Sequence, residues 1–215
     1  MKQIYLCSNT KFDDPDIINL NLLQIKFNKF SLNLNKFDAL IVSSKNSINS
    51  LKFNQISPFN IKIFAIGEAT KNACLDFGFS NISTPNSSHG DEFIKEILPE
   101  LKSKNILFLR AKETSSNISE ILRENSIKFT QIIAYENEIL PTKPNLIIAQ
   151  NSVIIFTSPK NLEAFIKHFG FRDDLKAVCI GKTTALALEN YASAIISPKQ
   201  DLAQCIKIAK SLASE

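Results

Sequence analysis

Short apolar runs rich in β-branched residues alternate along this chain with stretches of helical period. Val153 to Phe156 runs into Thr157 and Ser158 and then into a helical pattern from Asn161 to Phe169. Ala177 to Ile180 likewise runs through Gly181 into Thr183 and Thr184 and a helical pattern ending near Asn190. Strand, turn and helix in that order is the arrangement of a parallel α/β sheet. The same arrangement occurs upstream: Ala39 to Val42 leads through Ser43 and Ser44 into a short helix, and Ile63 to Ile66 leads through Gly67 into a helix from Glu68 to Phe77, which Gly78 can end with positive φ. One offset of 114 residues aligns both motifs with the later copy, and under it Ile41, Ser44, Ile66, Gly67, Thr70, Ala73, Ile82 and Ser83 each meet an identical residue. Two motifs held at one spacing imply two related lobes.

The remaining pattern places the lobes in the chain. Gln3 to Cys7 reads as a first strand, followed by an abbreviated or partly irregular helix within Asp14 to Leu23. Leu22 to Phe30 alternates as a half-exposed strand does. Between the copies lie a loop from Pro85 to Ser88, a helix from Asp91 to Leu101, a strand from Ile106 to Leu109, a helix from Asn117 to Glu124, and a strand from Ile127 to Tyr135. Tyr135 to Pro144 is polar and proline-bearing and reads as a second crossing. The upstream copy already has its own strands, so the first strand must join the C-terminal part. The expected layout is a discontinuous domain, 1–28 with 138–215, around a second at 30–135, with the crossings near 27–30 and 135–140 side by side as a two-stranded linker. Ala194 to Ile196 forms a last strand, and Asp201 caps a helix ending near Leu212.

Composition narrows the function. Of 215 residues, 44% are hydrophobic and 21% charged, as in an ordinary soluble globular protein. The net charge of +4 comes from interspersed basic and acidic residues, which argues against a nucleic-acid surface. Cys7, Cys74, Cys179 and Cys205 show no CxxC spacing, and His89 and His168 stand apart from each other. Core thiols in a reducing compartment, with no metal site, are the expectation. The first residues enter a strand too short for a signal segment, and no apolar run approaches the roughly 20 residues that span a bilayer. A cytoplasmic protein follows.

In parallel α/β sheets, ligands sit beyond the carboxyl ends of strands, where helix N-termini offer free N–H groups. That edge carries Ser43, Ser44, Gly67, Thr70, Thr157, Ser158, Gly181, Thr183 and Thr184. Each hydroxyl alone could be a helix cap, and Ser158 before Pro159 suits that role. Doubling of the whole set favours instead a site for carboxylate or phosphate oxygens, with one large polyanion held between the lobes. Neither IGEAT nor IGKTT makes a dinucleotide fingerprint or a complete P-loop. Tyr135, at the end of an apolar strand, could present its hydroxyl to the ligand, and Arg110 and Lys112 follow a strand end where they could pair with carboxylates. Lys176 lies at the opposite end of its strand from Thr183, which counts against direct contact. No Ser/His/Asp set, carboxylate pair or metal-ligand group is visible.

With IVSSKNSINSL, AIGEAT, LFLRA, IIAYEN, IIFTSPKNLEAF and CIGKTTALAL in this order, the chain resembles the uroporphyrinogen-III synthase family over nearly its full length. The resemblance implies two α/β lobes on a two-stranded linker, no cofactor, and monomers that meet the preceding pathway enzyme transiently. It implies hydroxymethylbilane, a linear tetrapyrrole with eight carboxylates, as substrate. Loss of water from the terminal hydroxymethyl group gives an azafulvene, attack at the substituted carbon of ring D gives a spiro intermediate, and the macrocycle closes with ring D inverted. Tyr135 then matches the tyrosine that assists hydroxyl departure, while Thr70, Ser158, Thr183 and Thr184 match carboxylate contacts. Lys176 falls where some members carry a lysine. The chain departs from the family in having SSK where TSP is usual, and in its abbreviated first helix. The rival readings are a hinged two-lobed binding protein without catalysis and a non-catalytic relative kept for interaction.

Overall fold

A computed structural model of the chain describes residues 2–85, 90–114 and 116–214. His89 and most of the 85–88 loop lie outside the described residues. The chain divides into two compact units, one made of Met1–Gln24 with Glu138–Glu215, the other of Ile25–Asn137.

The discontinuous unit holds strands β1 (Ile4–Cys7), β2 (Ile17–Leu20), β9 (Val153–Phe156), β10 (Lys176–Cys179) and β11 (Ala194–Ile196), in the order β11-β10-β9-β1-β2, all parallel. Every residue of β1 and β9 is buried, because a central parallel strand is covered on both faces and must be apolar throughout. On one face lie helices α5 (Pro159–Phe169) and α6 (Lys182–Leu188), with Phe156 and Phe165 packed edge to face. On the other lies α7 (Leu202–Ser214), with Cys205, Ile206 and Ala209 against the sheet. Each fully buried Ile or Phe here contributes about 1.5–3 kcal/mol.

The continuous unit holds β4 (Ala39–Val42), β5 (Lys62–Ala65), β6 (Ile82–Ser83), β7 (Ile106–Ala111) and β8 (Phe129–Ile139), in the order β8-β7-β4-β5-β6, again parallel, with β3 (Leu23–Phe27) beside β8. Helices α1 (Lys45–Phe53) and α2 (Glu68–Phe77) cover one face, and α3 (Gly90–Leu101) and α4 (Ile118–Glu124) the other. β3 and β8 both run through the unit boundary. Leu140 N–H donates to the Leu22 carbonyl at 2.9 Å and Asn28 N–H to the Ala134 carbonyl at 3.0 Å, so the two strands run in opposite directions.

Two elements differ from the sequence reading. The segment expected as an abbreviated helix at 14–23 contains strand β2 instead. Asp13-Asp14-Pro15-Asp16 favours side-chain-closed turns over a helical start. Asp14 accepts from Asp16 N–H, and the Asn19 side chain clamps both backbone groups of Phe12 at 2.9 Å. Lys210 on α7 then ion-pairs with Asp14 and Asp16 at 2.8 and 2.9 Å, holding this helix-free connection against the unit. The second difference is β8, which runs on to Ile139 rather than stopping at Tyr135, because pairing with β3 satisfies its polar stretch.

Candidate active site

The strand-end edge of the continuous unit gathers the predicted residues. β4 ends at Val42, and Ser43 and Ser44 lead into α1, with Ser44 in extended backbone accepting from Asn46 N–H at 3.2 Å. β5 ends at Ala65, and Gly67 precedes α2 with φ 72° and ψ 160°, a conformation open to glycine and strained for any other residue.

Tyr135 reaches this edge through an irregularity. β8 pairs with β7 in regular register until Arg110 meets Ile133, and then Ala111 meets Tyr135, so Ala134 is one residue too many. Such a bulge re-aims side chains. Ala134 and Tyr135 are consecutive yet pack into the same apolar cluster, where regular alternation would send them to opposite faces of the sheet. Tyr135 therefore points inward, only 6% exposed, lining a cavity of about 240 Å³ with Ser43, Ile66, Glu113, Thr114 and Ser116. Burial pushes its phenol above the usual range, partly offset by a hydrogen bond with Ser44. It stays protonated at neutral pH.

Arg110 lies within β7, and its guanidinium turns back onto the chain. Nε donates to the Ala111 carbonyl at 3.0 Å and one terminal nitrogen to the Lys112 carbonyl at 2.9 Å, bracing the bulge. Lys112 Nζ pairs with Glu136 at 2.8 Å. A larger cavity, about 520 Å³, is lined by Phe30–Asn35 and Asn54–Phe59 at the far end of α1, away from these hydroxyls, and none of its lining side chains is ionisable.

The equivalent edge of the discontinuous unit is more self-contained. Ser158 caps α5 in the same backbone conformation as Ser44, accepting from Asn161 N–H at 3.2 Å. Asn161 Nδ2 also donates to Ser158 Oγ at 3.0 Å and to Thr157 Oγ1 at 3.2 Å, while the Thr157 hydroxyl donates to the Cys7 carbonyl at 3.1 Å. Gly181, unlike Gly67, is extended. Thr183 is exposed on the first turn of α6. Thr184 and Thr70 are buried on the inner faces of their helices, at 3% and 5% exposure. Lys176 begins β10, at the end away from these residues, and its N–H donates to the Ser152 carbonyl.

Sequence reasoning missed Asn161, Ser47 and Glu113 as site residues. Asn161 and Ser47 occupy one position under the 114-residue offset, three residues beyond the capping serines, and that equivalence was the available signal. Ser47 Oγ donates to the Leu109 carbonyl at 2.9 Å, tying α1 to the end of β7. The four cysteines are free and buried, and burial pushes the Cys74 and Cys179 thiols up to about 12 and about 11. Among the described residues no side-chain cluster is placed to hold a metal, and no helix is long and apolar enough to cross a membrane.

A model of the family described as uroporphyrinogen-III synthase HemD matches residues 16–207. The chain belongs to this family. It is 31% identical to the crystal structure of uroporphyrinogen-III synthetase from Helicobacter pylori, with a TM-score of 0.78, covering 99% of this chain and 100% of that one. It is 25% identical over 174 residues to the uroporphyrinogen-III synthase of Chlorobaculum parvum, 73% of this chain and 71% of that protein. It is 28% identical over 174 residues to the porphyrin biosynthesis protein HemD of Ruminiclostridium josui, 74% of this chain but 34% of that relative, so the match spans about a third of that protein's length. A mutant uroporphyrinogen III synthase from Thermus thermophilus, at TM-score 0.51 and 10% identity, shares the fold. The family resemblance read from the motifs is borne out, as is the α/β architecture of parallel sheets flanked by helices. A binding protein without catalysis is not favoured.

Proposed function

We propose that the chain converts hydroxymethylbilane into uroporphyrinogen III, with Tyr135 donating a proton to the departing hydroxyl. The observation that carries this reading is Tyr135 itself, a buried phenol re-aimed by a bulge into a cavity at the strand-end edge, beside Ser44. A protonated phenol suits an acid that assists C–O cleavage at neutral pH. The bilane closes without an enzyme to the uninverted isomer, so most of the task is holding the reacting ends in one geometry.

The carboxylates of the substrate find N–H and hydroxyl donors at the strand-end edge of each unit, with Ser158 and Thr183 offering hydroxyls and Gly67 and Gly181 opening α2 and α6, while Ser43 lines the Tyr135 cavity. Thr157 serves the fold more than the ligand, because its hydroxyl is already paired on both sides. Thr70 and Thr184 contact the substrate only through the rims of their helices, and Arg110 acts by bracing the bulge. Lys176 contributes only if the substrate reaches the opposite strand ends. Four unpaired thiols suit a cytoplasmic location. A monomer that meets the preceding enzyme transiently suits a substrate that cyclises on its own.

Incubation with freshly generated hydroxymethylbilane, oxidation, and chromatographic separation of the uroporphyrin isomers tests this. Isomer III in excess over a protein-free control is expected. Isomer I alone, at the spontaneous rate, overturns the reading. A non-catalytic relative would give the same negative, but its tyrosine need not face a cavity as Tyr135 does.

A further inference from the structure

The cavity beside Tyr135 has the wrong charge for a carboxylate arm. Among the described residues that line it there is no lysine or arginine, while Glu113 is one of them. The two neighbouring cations are committed elsewhere, Lys112 to Glu136 and Arg110 to the carbonyls of Ala111 and Lys112. The Glu113 carboxylate is exposed and makes no hydrogen bond or ion pair with a described residue. A substrate carboxylate entering here would meet a like charge, offset only in part by the nearby Lys112 ammonium that already pairs with Glu136, which opposes binding. At about 240 Å³ the cavity also falls below the roughly 300–1,000 Å³ that encloses a drug-sized ligand. It has room for one ring of a tetrapyrrole rather than four.

A pyrrole ring carries its acidic side chains on its carbon edge and a single N–H donor opposite. Presented by that nitrogen edge, the ring complements Glu113. We infer that Glu113 is a further catalytic residue, whose carboxylate accepts the N–H of the reacting pyrrole while Tyr135 serves the hydroxymethyl group of the same ring. The inference rests on the proposed function. As the C–O bond breaks, the hydroxyl takes the Tyr135 proton and leaves as water, and the ring nitrogen supplies the electron pair that forms the exocyclic C=C bond. Positive charge then sits on the N–H beside Glu113. The carboxylate holds that proton or accepts it, giving the neutral azafulvene, and returns it when ring D attacks and the electron pair goes back to nitrogen. Because the charge exists only after cleavage begins, the contact strengthens towards the transition state and lowers the barrier.

The test compares the wild type with Glu113→Gln and Glu113→Lys, reading kcat, KM and the isomer produced. Wild-type production of isomer III establishes the underlying activity, and its absence would sink the proposed function itself. Given that activity, Glu113→Gln is expected to lower kcat roughly tenfold to a hundredfold with KM little changed, and Glu113→Lys to lower it further. Either variant keeping kcat within about twofold of the wild type overturns the inference. So does a Glu113→Lys variant whose main effect is a lower KM, since that would mark the cavity as a carboxylate subsite. Glu113 is exposed, so thermal unfolding of both variants is expected to match the wild type; coincident loss of fold and activity counts against a catalytic role.

Discussion

The two units put the same serine at the same bend and use it differently. In the discontinuous unit Asn161 draws Ser158 and Thr157 together: the Thr157 hydroxyl is paired as donor and as acceptor, and Ser158 Oγ accepts twice and keeps only its O–H to donate. In the continuous unit the position of Asn161 is taken by Ser47, whose side chain reaches to β7 instead, so that Ser44 accepts only the Asn46 N–H of its own helix. Ser44 is then free to meet Tyr135, whose counterpart strand in the other unit, β2, has four residues and no bulge. One architecture thus carries a mostly structural edge in one unit and a reactive edge in the other, and a single position three residues into the helix accounts for much of the difference.

The sharpest way to break this contrast is Tyr135→Phe. Activity is expected to fall by about two to four orders of magnitude, the range for loss of a positioned acid, while the thermal midpoint stays close to the wild type. Unchanged turnover in the isomer assay would remove the asymmetry altogether.

Gly67→Ala against Gly181→Ala separates the units next. Alanine at 67 must adopt a conformation that costs about 1–3 kcal/mol. At 181 the backbone is extended, and the added Cβ meets only the tip of the Gln200 side chain, 3.2 Å away. Urea unfolding should show a clear loss for the first and a small one for the second.

The paired serines give a subtler comparison. Ser44→Ala and Ser158→Ala each lose a helix cap, about 1 kcal/mol of stability. Only Ser44→Ala is expected also to lower kcat, by several-fold, through the loss of the Tyr135 hydrogen bond. Equal kinetic losses would show that the two edges contribute alike.

The smallest effect concerns acid. In the discontinuous unit Asp174 bonds Arg172 and the Asn151 N–H, and these partners hold its carboxyl down to about 2. A depressed carboxyl stabilises the fold above its unfolded value near 4 and loses that contribution as pH falls towards 2. Asp14, lowered by Lys210, acts in the same direction. Asp174→Asn should flatten the decline of the thermal midpoint between pH 4 and pH 2, and an unchanged slope would show the pair to be idle.

Much of the fold was legible because parallel strands buried on both faces leave unbroken apolar runs, as at Ala39–Val42 and Val153–Phe156, and because the repeat fixed which run matched which. β2 escaped notice because its crossover is closed by the side chains of Asp14 and Asn19, where a helix is usual. Within the site, Ser44 and Tyr135 could be named from strand-end position and family motif. Their meeting depends on one extra residue at Ala134, and sequence periodicity does not reveal a bulge. Glu113 was invisible because a carboxylate after a strand reads as solvated surface until the cavity beside it is seen.

The place of β1 in its sheet carries a consequence for synthesis. Ile4 pairs on one side with Ile17 and on the other with Val153. The first strand leaves the ribosome early and gains its inner neighbour only when most of the chain has followed, whereas every strand of the continuous unit is complete by Ile139. The inner unit can therefore finish folding while the outer one still waits with an apolar strand half covered. Chaperone protection during that interval is expected at β1.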